Sequence, residues 1–195
     1  MIEEIFKRNG FELSSRQSEL FKIYIRELKK WNRVHKLTAI EDDKQIVIRH
    51  FVDSLTLALC FREKGINVEG KSVCDVGSGA GFPGVPLKIY YGDRINLTLV
   101  ESVAKKCAFL EYLKVKLGLE YTVLCKRAEN IEESFDIVVC RALGQLKEIL
   151  PMLNKLARIS VFVMKGKEAP KGYDYCRIQT YDIKGSYILF LPKIR

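Results

Sequence analysis

Near the middle of the chain an apolar run reaches an acid and then breaks into closely spaced glycines. Val73 to Gly84 reads VCDVGSGAGFPG. A strand that enters Gly77, Gly79, Gly81 and Gly84 and then gives way to a helix is the opening unit of a parallel α/β sheet. Glycine permits the tight turn and lets a ligand approach backbone N–H groups at the helix start. Gly79 to Gly84 also satisfies G-x-G-x-x-G, a match that alone would suit a dinucleotide. Asp75 argues otherwise. It precedes Gly77 by two residues, so it is expected at the carboxyl end of the strand, facing the ligand crevice and repelling a diphosphate. S-adenosylmethionine carries an ammonium and a sulfonium and no phosphate. Opposite charges a few Å apart attract by about 4 kcal/mol at an effective dielectric of about 20. Asp75→Ala is therefore expected to abolish cofactor binding and leave the fold intact. The alternative for Asp75 is a cap on the loop or the helix.

The pattern on either side extends the unit. Strands are expected at Ser72–Val76, Ile95–Val100, Tyr121–Cys125, Phe135–Cys140, Ile159–Met164, Cys176–Ile183 and Tyr187–Leu191. Helices are expected near Val85–Tyr91, Ser102–Leu117 and Gln145–Leu156. Only Lys184-Gly185-Ser186 separates the last two runs, which suggests an antiparallel hairpin at one sheet edge. The first third reads as helical. Ser14 and Gln17 form a capping-box signature, followed by Phe21, Tyr24, Ile25, Leu28 and Trp31 at helical spacing. A second helix is expected over Asp43 to Phe61, ending near Gly65. Residues 1–65 then form an N-terminal helical segment packed on a single compact core, 66–195.

Composition supports a globular chain: 195 residues with 48% hydrophobic and 29% charged residues can bury roughly 70% of the unfolded surface. Lys and Arg number 33 against 24 acids, and a net charge of +9 favours a polyanionic partner such as nucleic acid. The six cysteines include no C-x-x-C pair, and Cys74 and Cys140 lie inside apolar runs. Neither a disulfide framework nor a metal site is expected, and the dispersed thiols fit a reducing cytoplasm. The N-terminus is acidic, with no hydrophobic signal region, and no apolar stretch suits a membrane span.

Glu101 closes the second strand about 20 residues beyond the glycines, a position suited to ribose hydroxyls in nicotinamide enzymes and methyltransferases alike. Its alternative is a helix N-cap. Arg127-Ala128-Glu129 follows the third strand; by topology it lies over the same crevice, where a base could be held, while from spacing alone it reads as a solvated loop. The fourth strand leads into Arg141, where such a fold presents groups to a transferred methyl. There is no N-P-P-Y-like tetrapeptide for an exocyclic amine, no Pro-Cys pair for attack on a pyrimidine, and no acid near Arg141 to complete a Lys-Asp-Lys-Glu set with Lys165. A nucleophile that needs no deprotonation remains, and guanine N7 is one. Catalysis would then be in-line alignment. Arg141 suits the cofactor carboxylate, a phosphate or guanine O6, or else a structural salt bridge.

Trp31-Asn32 with Leu37-Thr38, RHFVDSL (Arg49 to Leu55), DVGSGAGFPGVPL (Asp75 to Leu87), LVESVAKKCAFL (Leu99 to Leu110), RAE (Arg127 to Glu129), CRAL (Cys140 to Leu143) and MKGK (Met164 to Lys167) occur in that order. In these segments the sequence resembles the ribosomal RNA small subunit methyltransferase G family, also called glucose-inhibited division protein B. The resemblance implies a Rossmann-like class I S-adenosylmethionine-dependent methyltransferase with a mostly parallel seven-stranded sheet and an antiparallel edge hairpin. It implies N7-methylation of one guanine of 16S ribosomal RNA, with naked RNA and the small subunit both open as substrates. The protein is expected to be a cytoplasmic monomer. Carried over position by position, it implies cofactor contacts from Gly77, Phe82, Ala128, Glu129 and Arg141. Asp75, Gly79 and Glu101 come from the loop and strand arguments. His50, Asp53 and Ser54 match a family motif beside the cofactor cleft. Without the resemblance, His50 reads as a partly buried helix residue.

Two departures stand out. The family often has Asn where this chain has Lys36, and its tail often continues as a basic extension where this chain stops at Arg195. The RNA grip is then expected to rest on Lys29, Lys30, Arg33, Lys36 and Arg49, with Lys165 near the acceptor, although such a run also suits a solvated helix face. The competing functions are a nicotinamide-dependent oxidoreductase and a non-catalytic RNA-binding assembly factor.

Overall fold

The computed structural model describes residues 1–141 and 144–193. Its strands are β1 (Lys71–Val76), β2 (Ile95–Glu101), β3 (Thr122–Cys125), β4 (Phe135–Arg141), β5 (Ala157–Gly166), β6 (Asp174–Gln179) and β7 (Lys184–Pro192). They form one seven-stranded sheet in the order β3-β2-β1-β4-β5-β7-β6. The first five strands pair in parallel, and β7 runs antiparallel to both β5 and β6. The expected antiparallel edge is present, but its turn falls earlier than the sequence suggested. Lys184, Gly185 and Ser186 belong to β7, and the chain reverses over Thr180–Ile183, where Thr180 N–H donates to the Ile183 carbonyl at 2.9 Å. Asn9 pins this turn, since its side-chain oxygen accepts from the Thr180 hydroxyl at 2.6 Å and from Asp182 N–H at 2.8 Å. Gly185 is accommodated inside the strand at a positive φ of 65°, beside a shift in the β6–β7 register.

Alternation along the strands sorts side chains to two faces. Val73, Leu97, Leu99, Ile137, Val139 and Phe162 join one buried cluster, while Cys74, Val76, Val100, Val138, Cys140 and Val163 join the other. Helices α5 (Gly84–Tyr91) and α6 (Ala104–Leu117) cover the first face, and α7 (Leu146–Leu156) covers the second through Ile149, Leu150 and Leu153. The N-terminal helices share the first cluster through Phe6, Phe21, Tyr24, Leu28, Phe51 and Leu55.

Helix α1 (Ile2–Arg8) was not anticipated; it buries Ile2, Ile5 and Phe6. Helix α2 (Ser15–His35) begins with both bonds of the Ser14–Gln17 capping box and ends at Lys36 in the left-handed conformation. The helix expected over Asp43 to Phe61 is interrupted. It runs as α3 (Asp43–Ile46), a π-helical turn over Val47–Val52, and α4 (Asp53–Glu63). The wide turn buries Val47, Phe51 and Val52 while leaving Arg49 exposed and His50 half-buried.

The expectation of unpaired cysteines is corrected. Cys60 is joined to Cys176, and Cys107 to Cys125, with Cα–Cα separations of 5.7 and 5.8 Å that suit a bridge. The partners lie 116 and 18 residues apart and meet because α4 packs on β6 and α6 on β3. Chain spacing carried no trace of that packing. Cys74 and Cys140 are free and buried. Among the described residues, no helix is long and apolar enough to cross a membrane.

Candidate cofactor and acceptor pockets

The carboxyl ends of β1, β2 and β3 open on a cavity of about 430 Å³ lined in part by Gly77, Glu101, Ser102, Lys106, Ala128 and Glu129. That volume is within the roughly 300–1,000 Å³ usual for small-molecule sites. Above it the glycine loop spends its own donors. Gly77 and Ser78 N–H reach the Val100 carbonyl at 2.8 and 3.1 Å, and Gly81 and Phe82 N–H reach the Ser78 carbonyl at 2.8 and 2.9 Å. Gly79 N–H goes to the Glu101 carboxylate and Gly84 N–H to that of Asp75, both at 2.8 Å. These six groups are not available as a cradle for a diphosphate, which is what a dinucleotide would require.

Asp75 is not on the crevice wall. Its side chain is fully buried and lines neither this cavity nor the acceptor cavity described below. One carboxylate oxygen accepts from Gly84, the first residue of α5, so the capping alternative describes that contact. The fit is close: a Cβ on Gly84 would sit 2.5 Å from Leu99 Cδ2 and 2.8 Å from Asp75 Oδ2. Asp75→Ala would strand a buried N–H, so the expectation of an undisturbed fold does not hold. The other oxygen, Oδ1, is buried without a partner. Burial pushes the Asp75 pKa up to about 7, Gly84 N–H and Arg141 oppose the rise, and Glu101 adds to it. A buried acid with one unmet oxygen beneath the loop suits a cationic ligand and not an anionic one.

Glu101 is buried and lines the cavity. Its carboxylate accepts from Gly79, Ser102 and Val103 N–H at 2.8 to 2.9 Å, so it organises the turn into α6 as well as facing the cavity. Oε2 carries only one of these bonds and has acceptor capacity left for a hydroxyl. Ala128 and Glu129 lie on a short 3₁₀ turn at the cavity wall. Glu129 is exposed, and its carboxyl is held below the usual range by its own backbone N–H and by Arg127. Gly79 and Phe82 do not line the cavity. Phe82 is instead a buried platform, stacked 4.5 Å from His50 and 5.4 Å from Tyr24, with the Arg141 guanidinium 5.1 Å above its ring. Tyr24 also donates its hydroxyl to the Ala80 carbonyl and so fastens α2 to the glycine loop.

A second cavity of about 280 Å³ adjoins the first, and Ile149 lines both. Asp53, Arg141, Lys165 and Ser186 are among its walls. Arg141, at the end of β4, is gripped by the π turn and the first residue of α4: Nη1 donates to the Arg49 carbonyl and to Asp53 Oδ2, each at 3.2 Å, and Nη2 lies 3.3 Å from His50 Nδ1. His50 Nε2 is 2.8 Å from the Thr38 hydroxyl. The tautomer that satisfies both contacts is protonated on Nε2, leaving Nδ1 to accept from Arg141. Burial, and then Arg141, lower the His50 pKa to about 4, so the ring is neutral at neutral pH. Burial raises the Asp53 carboxyl, and Arg141 offsets part of the rise. Ser54 is fully buried and donates its hydroxyl to the His50 carbonyl, within the helix and away from both cavities. Sequence assigns Thr38 no role; its proximity to His50 gives it one.

The basic residues expected to grip RNA do not form one surface. Lys29, Lys30 and Arg33 line grooves around α2 that share no lining residue with the acceptor cavity, and Lys29 pairs with Asp43 at 2.6 Å. Lys36 caps α2, Arg49 is exposed on the π turn, and Lys165 lines the acceptor cavity. Of the CRAL segment, Ala142 and Leu143 lie outside the described residues.

The fold matches solved methyltransferases. A magnesium protoporphyrin IX methyltransferase from Synechocystis PCC 6803 with bound S-adenosylmethionine aligns with a TM-score of 0.62 at 15% identity, covering 95% of this chain and all of that one. A 16S rRNA N2 G1207 methyltransferase from T. thermophilus, in complex with S-adenosylmethionine and guanosine, aligns with a TM-score of 0.56 at 18% identity, covering 73% of this chain and 43% of that one. With its seven-stranded sheet, glycine loop and strand-end cavity, the chain has the Rossmann-like fold of these S-adenosylmethionine-dependent methyltransferases. Sequence narrows the class. A family model described as rRNA small subunit methyltransferase G matches residues 17–181. The ribosomal RNA small subunit methyltransferase G of Aquifex aeolicus is 52% identical over 194 residues, covering 97% of this chain and 98% of that protein. The protein of the same name from Bacillus cereus is 36% identical, covering 86% and 72%. The chain belongs to the rRNA small subunit methyltransferase G family.

Proposed function

We propose that this chain transfers a methyl group from S-adenosylmethionine to N7 of one guanine in 16S ribosomal RNA, as a cytoplasmic monomer. Gly77, Glu101, Ala128 and Glu129 hold the nucleoside end of the donor, with Glu101 Oε2 accepting a ribose hydroxyl. Asp75 acts from beneath the loop through its field. Bound S-adenosylmethionine supplies an electrophilic methyl. Residues 1–65 form the helical segment that carries the π turn to the core beginning at residue 66.

One observation carries the choice of N7: the acceptor cavity adjoins the cofactor cavity at Ile149 and offers no free base. Asp53, the only acid among its described lining residues, is tied to Arg141, and His50 is neutral with both nitrogens engaged. N7 has no proton to lose, so these residues need only orient the ring and exclude water. Arg141 and Lys165 suit the O6 edge or a phosphate. The spent amides of the glycine loop argue against the nicotinamide reading.

The test is chemical cleavage at N7-methylguanine in ribosomal RNA from cells that lack this protein. One cleavage site in 16S RNA should vanish and return with the gene. An unchanged cleavage pattern would overturn the assignment.

A further inference from the structure

A third cavity, of about 630 Å³, continues from the acceptor pocket and shares Asp53, Gly166 and Ser186 with it. One wall is the helical segment with Gln45, Ile48 and Arg49, and the other is Lys167 just after β5 with Ile183 and Lys184 at the turn into β7. The groove contains two acids, and both are already neutralised. Asp53 is paired with Arg141. Asp182 accepts from Arg8 at 2.7 and 2.8 Å and from Asn9 at 2.6 Å; burial raises its carboxyl, but these partners with help from Lys44 bring it below the ordinary value. The cations are not neutralised. Arg49 bonds only the neutral Gln45 side chain, and Lys184 only the Thr180 carbonyl. All three basic side chains are exposed, and among the described residues none is held in an ion pair.

We propose that this groove is a phosphate track for the RNA backbone flanking the target guanosine, with Arg49, Lys167 and Lys184 as its cations. The inference rests on the RNA-methyltransferase reading above. A base can bring N7 into the acceptor pocket only after leaving its stack, and its flanking backbone must then pass the pocket mouth. The groove is the mouth, and its fixed acids are silenced while its basic groups are exposed. A track of this kind contributes affinity and orientation without reading sequence. Lys167 follows β5 and Lys184 opens β7, both outside the basic cluster of the first third.

The experiment uses the full chain with small ribosomal subunits from cells lacking it. Lys167→Ala/Lys184→Ala is compared with wild type, with a Lys167→Arg/Lys184→Arg rescue, and with Lys29→Ala/Lys30→Ala, which removes equal charge elsewhere. Subunit binding in S-adenosylhomocysteine is measured across salt concentrations, and methyl transfer is measured in parallel. The groove variant should raise the RNA KM by roughly tenfold, leave S-adenosylmethionine affinity unchanged, and lower the slope of log K against log salt by about 1.4 to 1.8 for two lost phosphates. The arginine variant should restore both. An unchanged slope, an equal loss in the Lys29/Lys30 variant, or no binding by wild type would overturn the track. Wild-type binding that depends on the groove but yields no methyl transfer would remove the methyltransferase reading and leave the track standing.

Discussion

The two halves of the site are built from different materials. On the cofactor half, backbone amides meet carbonyls and buried carboxylates, and the loop, Asp75 and Glu101 hold one another within the sheet. On the acceptor half, charged side chains meet across long stretches of chain, with Arg141 bonded to Asp53 at a separation of 88 residues and to His50 at 91. Arg141 and Asp53 are each about 20% exposed, whereas Asp75 is fully buried. The contrast teaches where specificity can reside. The proposed nucleoside seat is built from strand ends and loops of the α/β unit. The proposed acceptor side draws on a helical segment docked from outside the sheet and tied to the glycine loop through Tyr24.

Arg141→Ala is the strongest way to break the division. It should lower kcat about a hundredfold, or about 2.7 kcal/mol, through loss of alignment, while S-adenosylmethionine affinity stays within a few-fold. Isothermal titration and single-turnover methyl transfer measure the two halves separately. An Arg141→Ala/Asp53→Asn variant removes the unpaired acid that the single change leaves behind. If cofactor affinity fell as far as kcat, Arg141 would belong to the cofactor half and the contrast would fail.

Asp75→Asn probes the other half with a smaller effect. Asparagine keeps an acceptor for Gly84 N–H but never ionises. An acid whose folded pKa is raised from 3.8 to about 7 stabilises the fold fully below its unfolded pKa and loses that contribution as pH climbs to about 7. The variant should therefore gain stability relative to wild type between pH 5 and pH 8 in urea unfolding of the free protein. Its affinity for the cationic donor should fall by about tenfold, or about 1.4 kcal/mol, at pH 8. Affinity equal to wild type at that pH would deny Asp75 any electrostatic role.

The sheet was legible because strand alternation and the glycine loop are local signals. Val73 to Val76 and Ile137 to Cys140 announce buried parallel strands by composition alone. Asp75 and Glu101 are found by position, but which way each carboxylate turns is decided by the packing of Gly84 and Gly79 around it. The π turn was invisible, since Val47 to Val52 has ordinary helical content and only the docking against Phe82 and Arg141 rewards the wider turn. The cysteine pairs were missed for the same reason. Contacts between elements distant in sequence leave no period to read.

Lys36 offers the finest adjustment to the comparison. It ends α2 at φ 48° and ψ 61°, the only described non-glycine residue with positive φ, and leads directly into Leu37 and Thr38. Thr38 in turn holds His50 on the acceptor side. Any Cβ crowds the following carbonyl in this conformation, and asparagine tolerates it better than lysine. Lys36→Asn should raise stability by about 1 kcal/mol, or roughly 2–4 °C in Tm for a chain of this length. It should leave subunit binding and kcat unchanged if the strain at the cap is all that Lys36 contributes. A fall in subunit affinity with reduced salt dependence would instead make Lys36 an RNA contact and extend the charged half of the site onto α2.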